Sequence, residues 1–233
     1  MNRRSFLWAA AGIGLVGRGA LAAPGMKIGD RDVFVVVDVQ NCFTLGGSLA
    51  VKEGDVIVPL INRIAKQFRH VVITQDWHTA DHISFASQHA GKKPFEMVKL
   101  AYGMQVLWPD HCVQGTDGAA LHKDLSIPHA ELIIRKGYRR EVDSYSAFLE
   151  ADKKTQTGLG GYLKQRGLKR VYFAGLATDF CVGWSALDAR KQGFEALVIE
   201  DACRGIDVGG SLAKAWAAMK VAGVKRIQST DVI

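Results

Sequence analysis

The chain has 233 residues, 48% of them hydrophobic and 23% charged, which suffices for one well-packed core and excludes a largely disordered protein. The formal net charge is +7, but Arg3, Arg4 and Arg18 lie in the first 22 residues with no acid among them, so the remainder carries +4. Its lysines and arginines are scattered without an aromatic-interleaved stripe, so nothing supports a nucleic-acid partner.

The N-terminus reads as an address. Arg3-Arg4 precedes an apolar stretch, residues 8–16, that is short for a bilayer span, and Ala20-Leu21-Ala22 fits an A-x-A cleavage site. The segment resembles a twin-arginine (Tat) signal, which implies export to the periplasm, cleavage after residue 22 and no stable membrane span after processing. An uncleaved inner-membrane anchor is the alternative. Beyond it a single domain is expected over residues 30–233.

In chain order, residues 33–37 form a continuous β-branched and aromatic run, the pattern of a strand buried on both faces. Apolar residues at helical spacing follow over 55–68, then strands at 71–74, 132–134 and 171–174. A helix over 179–191, a strand at 196–199, a helix over 211–221 and a short strand starting at Ile227 complete the alternation. This order predicts an α/β fold, Rossmann-like, with three α/β/α layers and a mostly parallel sheet. The polar stretch 79–123 is too long for a simple connection and reads as functional.

Reactive residues sit where strands end. Asp38 follows the first strand, Asp76 the second, Lys136 the third, and Cys181 lies just past the fourth, all on the edge where open parallel sheets bind ligands. Asp76 and His78 share a side of an extended segment, His82 joins them if the chain turns, and His111 closes the set from a distant loop. Three imidazoles and one carboxylate suit one divalent metal ion, Zn, Mn or Fe. Thr178 or Asp179 is expected to cap the helix that holds Cys181 in its first turn, where free amides and the helix dipole lower a thiol's pKa. With Lys136 beside it, Asp38 as proton carrier, and backbone amides of Ala177 and Cys181 as an oxyanion hole, Cys181 has the parts for acyl transfer. The four cysteines, Cys42, Cys112, Cys181 and Cys203, show neither C-x-x-C nor a small-scaffold spacing, and mostly free thiols are expected.

Longer motifs carry a resemblance. Asp38-Val39-Gln40-Asn41, Gln75-Asp76-Trp77-His78, Ser84-Phe85-Ala86, the run from Trp108 to Gln114, the run from Asp143 to Phe148, and the run from Gly175 to Val182 are similar to the nicotinamidase branch of the isochorismatase-like hydrolases. The resemblance covers the chain from about Val33 onward. It implies hydrolysis of nicotinamide to nicotinate and ammonia, with pyrazinamide a further candidate, and a place in pyridine nucleotide salvage. Cys181 would be the nucleophile, Asp38 the general base and acid, and Lys136 their electrostatic partner. Asp76, His78, His82 and His111 would hold the metal, which in this family contacts the substrate's ring nitrogen. Phe43 and Trp108 would sandwich the ring with Tyr145 nearby, and a cis peptide would join Leu176 to Ala177. One departure is Cys42, where the family often carries an acid. The export signal is another, since such relatives are usually intracellular. The rivals are a related cysteine amidohydrolase acting on a carbamoyl or ureido substrate, and a periplasmic metal-binding or thiol-redox protein. Oligomeric state is left open, a homo-oligomer included.

Overall fold

The computed structural model describes residues 26–232, so the signal expected over 1–22 lies outside the described residues. The elements in chain order are β1 (Asp32–Val37), α1 (Val58–Ala65), β2 (His70–Asp76), β3 (Met97–Leu100), β4 (Gly103–Val106) and β5 (Leu132–Lys136). They continue with α2 (Leu159–Gln165), β6 (Arg170–Leu176), a π turn (Thr178–Val182), α3 (Gly183–Lys191), β7 (Glu195–Arg204), α4 (Ser211–Val221) and β8 (Lys225–Ile227). Six strands form one parallel sheet in the order β5-β2-β1-β6-β7-β8, and β3 and β4 form a separate antiparallel hairpin. The α/β architecture is the one expected.

Every residue of β1 is buried, and β6 is buried throughout after Arg170. A strand with no exposed residue is covered on both faces, which is why its sequence is a continuous apolar run. Phe34 stacks on Phe68 at 5.2 Å, and Phe68 meets the Tyr172 ring edge-on at 4.9 Å, joining β1, the end of the first helical segment and β6. Helix α1 buries Val58, Ile61, Ile64 and Ala65 on one stripe.

Several elements differ from the sequence pattern. The first helix is shorter than 55–68, because Pro59 favours the first turn of a helix and residues 52–57 form turns before it. Strand β8 ends at Ile227 rather than starting there. Helix α2 carries little sequence signal: Gly160 and Gly161 weaken its pattern, and only Leu159, Gly160 and Leu163 are buried. The β3–β4 hairpin lies inside the polar stretch 79–123, where half-exposed strands carry little apolar signal. Among the described residues no helix is long and apolar enough to cross a membrane.

The edge that carries the site needs β1 and β6 to come very close. Gly175 pairs with Val37 at φ +127°, and a Cβ there would sit 2.1 Å from the Val37 carbonyl oxygen. Only glycine tolerates both the angle and the contact. Gly175→Ala is therefore expected to cost about 2 kcal/mol or more. Thermal unfolding should show a Tm lowered by about 4–8 °C for a domain of this size, and an unchanged Tm would contradict the packing described.

Candidate active site and metal centre

Four neighbouring strands, β5, β2, β1 and β6, deliver one reactive side chain each to the same edge. Lys136 ends β5, Asp76 ends β2, Asp38 follows β1, and Cys181 lies in the π turn after β6. The Lys136 ammonium lies 2.9 Å from Asp38 Oδ2, 2.9 Å from Asp76 Oδ1 and 3.3 Å from Cys181 Sγ. The Thr74 hydroxyl, one strand over, donates to Asp38 Oδ1 at 2.5 Å, and Thr74 Oγ1 accepts the Asp38 amide at 3.1 Å. All four reactive groups are buried.

Burial decides their protonation. It pushes the Cys181 thiol well above its ordinary value; Lys136 pulls the other way, but Asp38 and Asp76 add to the upward push. The lowered thiol pKa expected from the helix start does not occur, so the resting sulfur carries its proton. Burial also raises Asp38, against the pull of Lys136 and with help from Asp76. For Lys136, burial alone would favour the neutral amine, but Asp38 and Asp76 outweigh it and hold the ammonium charged. Burial would likewise raise Asp76, yet His78 and Lys136 together hold it well below the usual carboxylate range.

The cap expected at the start of this turn is also absent. Neither Thr178 nor Asp179 caps the turn; Ala177 holds the cap position without a side-chain bond. The Asp179 carboxylate instead accepts from the Ile206 and Asp207 amides at 3.0 and 2.8 Å and from the Ser211 hydroxyl, tying the turn to the loop before α4. The peptide between Leu176 and Ala177 is cis, as the resemblance implies.

Asp76 also faces the imidazoles. Its Oδ2 lies 3.3 Å from His78 Nε2 and 3.7 Å from His111 Nε2, and the ligand atoms of the three residues lie within 4.8 Å of one another. His78 Nδ1 is 2.9 Å from the Gly137 carbonyl and His111 Nδ1 is 2.8 Å from the Pro109 carbonyl. Each carbonyl stands where it accepts the Nδ1 proton, so the Nε2 atom of each ring faces Asp76. Burial disfavours a charged His78 ring, but Asp76 outweighs it and raises the His78 pKa. Gly137 sits at φ +65°, and a Cβ there would lie 2.5 Å from the His78 ring. This donor set fits a divalent ion. His82 stands against His78 with ring centroids 4.2 Å apart, and groups with His78 and Asp143 rather than with Asp76 and His111. Its Nδ1 pairs with the Ser84 hydroxyl at 2.7 Å and its Nε2 lies 3.3 Å from the Val142 carbonyl. Burial and the neighbouring His78 lower its pKa to about 4, so the ring is neutral.

Both groups open on one narrow cavity. Phe43, Trp108, Tyr145, Ala177, Cys181, Asp76, His78 and His111 all line it. The Tyr145 hydroxyl accepts from Trp108 Nε1 at 3.0 Å and from Gln105 Nε2 at 2.7 Å.

The family model described as the isochorismatase domain matches residues 32–231. The chain belongs to the isochorismatase family. It is 57% identical to a nicotinamidase of Acinetobacter baylyi over 89% of this chain and 97% of the relative. A solved Acinetobacter baumannii nicotinamidase/pyrazinamidase superposes with a TM-score of 0.87 at 61% identity, covering 88% of this chain and 99% of that one. A pyrazinamidase of Pyrococcus horikoshii, solved in complex with zinc, superposes with a TM-score of 0.69 at 35% identity, covering 85% and 99%.

In this isochorismatase-family site two residues carry more than the sequence reading assigned them. Asp143 lines the cavity, accepts from Gln105 Nε2 at 2.8 Å and from the Ser144 amide at 2.7 Å, and groups with two imidazoles. Phe180 meets Trp108 edge-on at 4.8 Å. Both stand inside motifs that carried the resemblance, and their place in those motifs was the available signal. The expectation about thiols needs correction as well: Cys42 and Cys112 form a disulfide, leaving Cys181 and Cys203 free. Loops 70 residues apart in sequence meet at the site, a convergence that no local spacing reveals.

Removing the ammonium should leave two carboxylates buried together. Lys136→Met is expected to cost about 3–5 kcal/mol in urea unfolding. Lys136→Met combined with Asp38→Asn should recover part of that loss, and equal stabilities for the two variants would refute the pairing.

Proposed function

We propose that this chain is a metal-dependent amidohydrolase that converts nicotinamide to nicotinate and ammonia through a thioester on Cys181, and that also accepts pyrazinamide. The observation that carries the reading is the sharing of Asp76: one of its oxygens pairs with the Lys136 ammonium beside the Cys181 sulfur, and the other faces His78 and His111. Nucleophile and metal ligands thus border one space, and the relatives named above are nicotinamidases. Asp76, His78 and His111, with His82 alongside, would hold one divalent ion. When bound, the ion supplies a Lewis-acidic point that takes up the ring nitrogen and orients the amide.

The chain's own groups carry the acyl transfer. Phe43 and Trp108 wall the flat ring, with Tyr145 at its edge. Cys181 Sγ attacks the carboxamide carbon while its proton passes to Asp38, whose raised pKa suits it to receive one. The Lys136 ammonium stays charged throughout and offsets the negative charge that moves between sulfur and carboxylate. The Ala177 and Cys181 amides receive the oxyanion. Asp38 then gives its proton to the nitrogen as the C–N bond breaks and ammonia leaves. Water attacks the thioester, its proton going to Asp38. The C–S bond breaks and the thiol regains that proton from Asp38.

The export reading is part of the same proposal: residues 1–22 would direct the chain to the periplasm, where it would act on external amide. The Cys42–Cys112 disulfide supports an oxidising compartment.

Protein lacking residues 1–22 is expected to release ammonia from nicotinamide and to stop when its metal is chelated. Cys181→Ala should lower kcat by about 10⁴-fold or more, and normal turnover by that variant would rule out the thioester route. His78→Ala should lose most of the bound divalent ion, measured by elemental analysis of the dialysed protein; an unchanged metal content would remove His78 from the ligand set.

A further inference from the structure

The Cys42–Cys112 bond lies directly behind two residues of the site. Cys42 precedes Phe43 in the short turn after β1, and Cys112 follows His111. The Cα atoms of the two cysteines are 5.6 Å apart, both side chains are buried, and the Phe43 and His111 rings meet at 5.5 Å. Cys112 is further tied to the metal-facing strand end, because its carbonyl accepts the His78 amide at 3.0 Å. The Gln114 amide donates to the His78 carbonyl at 2.8 Å, so the segment after His111 runs alongside His78.

Hydrogen bonds of the backbone and of the Asn41 side chain hold, from its other side, the turn that carries Cys42. Its carbonyl accepts the Leu49 amide at 3.0 Å, and the Asn41 amide donates to the Ala120 carbonyl at 3.0 Å. None of these contacts has His111 or Cys112 as its partner. The disulfide is the covalent tie between the turn that bears Phe43 and the loop that bears His111.

We propose that Cys42 and Cys112 are positioning residues whose disulfide holds the Phe43 wall in register with the His111 imidazole, and that its reduction loosens both ring binding and metal retention. The roles of Phe43 and His111 rest on the function proposed above. The bond forms by exchange with an external disulfide, of glutathione or of a dithiol–disulfide oxidoreductase. One cysteine thiolate attacks the donor and expels a thiol; the second attacks the mixed disulfide and expels the other. Two electrons and two protons pass from the pair to the donor. Cys181 takes no part, so the chemistry of turnover is preserved while the cavity's walls gain or lose their tie.

The test uses protein without residues 1–22, incubated with oxidised glutathione, then dialysed and unfolded. Two thiols are expected to titrate, those of Cys181 and Cys203, and the non-reducing peptide map should join the peptides of Cys42 and Cys112. Four free thiols would overturn the proposal. The double variant Cys42→Ser, Cys112→Ser should lower the Tm by about 5–15 °C, raise KM about 10-fold with kcat within about two-fold, and weaken metal retention in dialysis by about 10-fold or more. An unchanged KM together with unchanged metal retention would overturn the positioning role. If the variant does not fold, wild-type protein treated with a phosphine reductant, which opens the bond without blocking Cys181, gives the same comparison. Should wild type fail to hydrolyse nicotinamide, the proposed function falls, while the peptide map and the metal-retention assay still decide this proposal.

Discussion

A single buried ammonium holds the reactive edge of this protein together. Lys136 is 1% exposed, although β5 is the outermost strand of its sheet and shows Ile133 to solvent. The ammonium can lie there because Asp38 and Asp76, each from an inner strand position, replace the water it loses. The dependence is mutual, since two carboxylates this close would not both stay ionised without the cation. The cation also lies against the Cys181 sulfur, and so links the two carboxylates to the thiol. Asp76 extends the network to His78 and His111. Four strands and the long segment between β2 and β5 are thereby bound to one electrostatic arrangement.

Much of this arrangement was legible in the sequence because parallel sheets place strand ends on one edge. The continuous apolar runs located β1, β2, β6 and β7, and Asp38, Asp76, Lys136 and Cys181 then fell together by topology alone. What was not legible depends on contacts between distant segments. The protonated state of Cys181 follows from burial beside two acids, and helix position by itself predicts the opposite. Asp179 looked like a cap, but the loop before α4 lies close enough to claim its carboxylate. Cys42 and Cys112 bond because two loops meet at the cavity. Hairpin β3–β4 stayed hidden for a different reason: its strands are half exposed and carry no continuous apolar pattern.

The cavity walls follow a division of labour set by these elements. The sheet edge supplies charge and sulfur, and the loops supply flat apolar surface through Phe43, Trp108 and Phe180. Burial of Tyr145, aided by Asp143, holds the phenol far above its ordinary pKa. Its hydroxyl is thus a neutral group that fixes Trp108 and Gln105.

The two imidazoles that face Asp76 are aimed by main-chain oxygens, those of Gly137 and Pro109. A carbonyl persists through any amino-acid replacement at its own position, so the aim of these rings cannot be retuned by exchanging the residue that provides it. At Gly137 even the smallest side chain would strike the ring it serves. A change in the aim of these two rings must therefore come from the path of the supporting loops, through insertions, deletions or shifts of register, and not from point changes at the aiming positions.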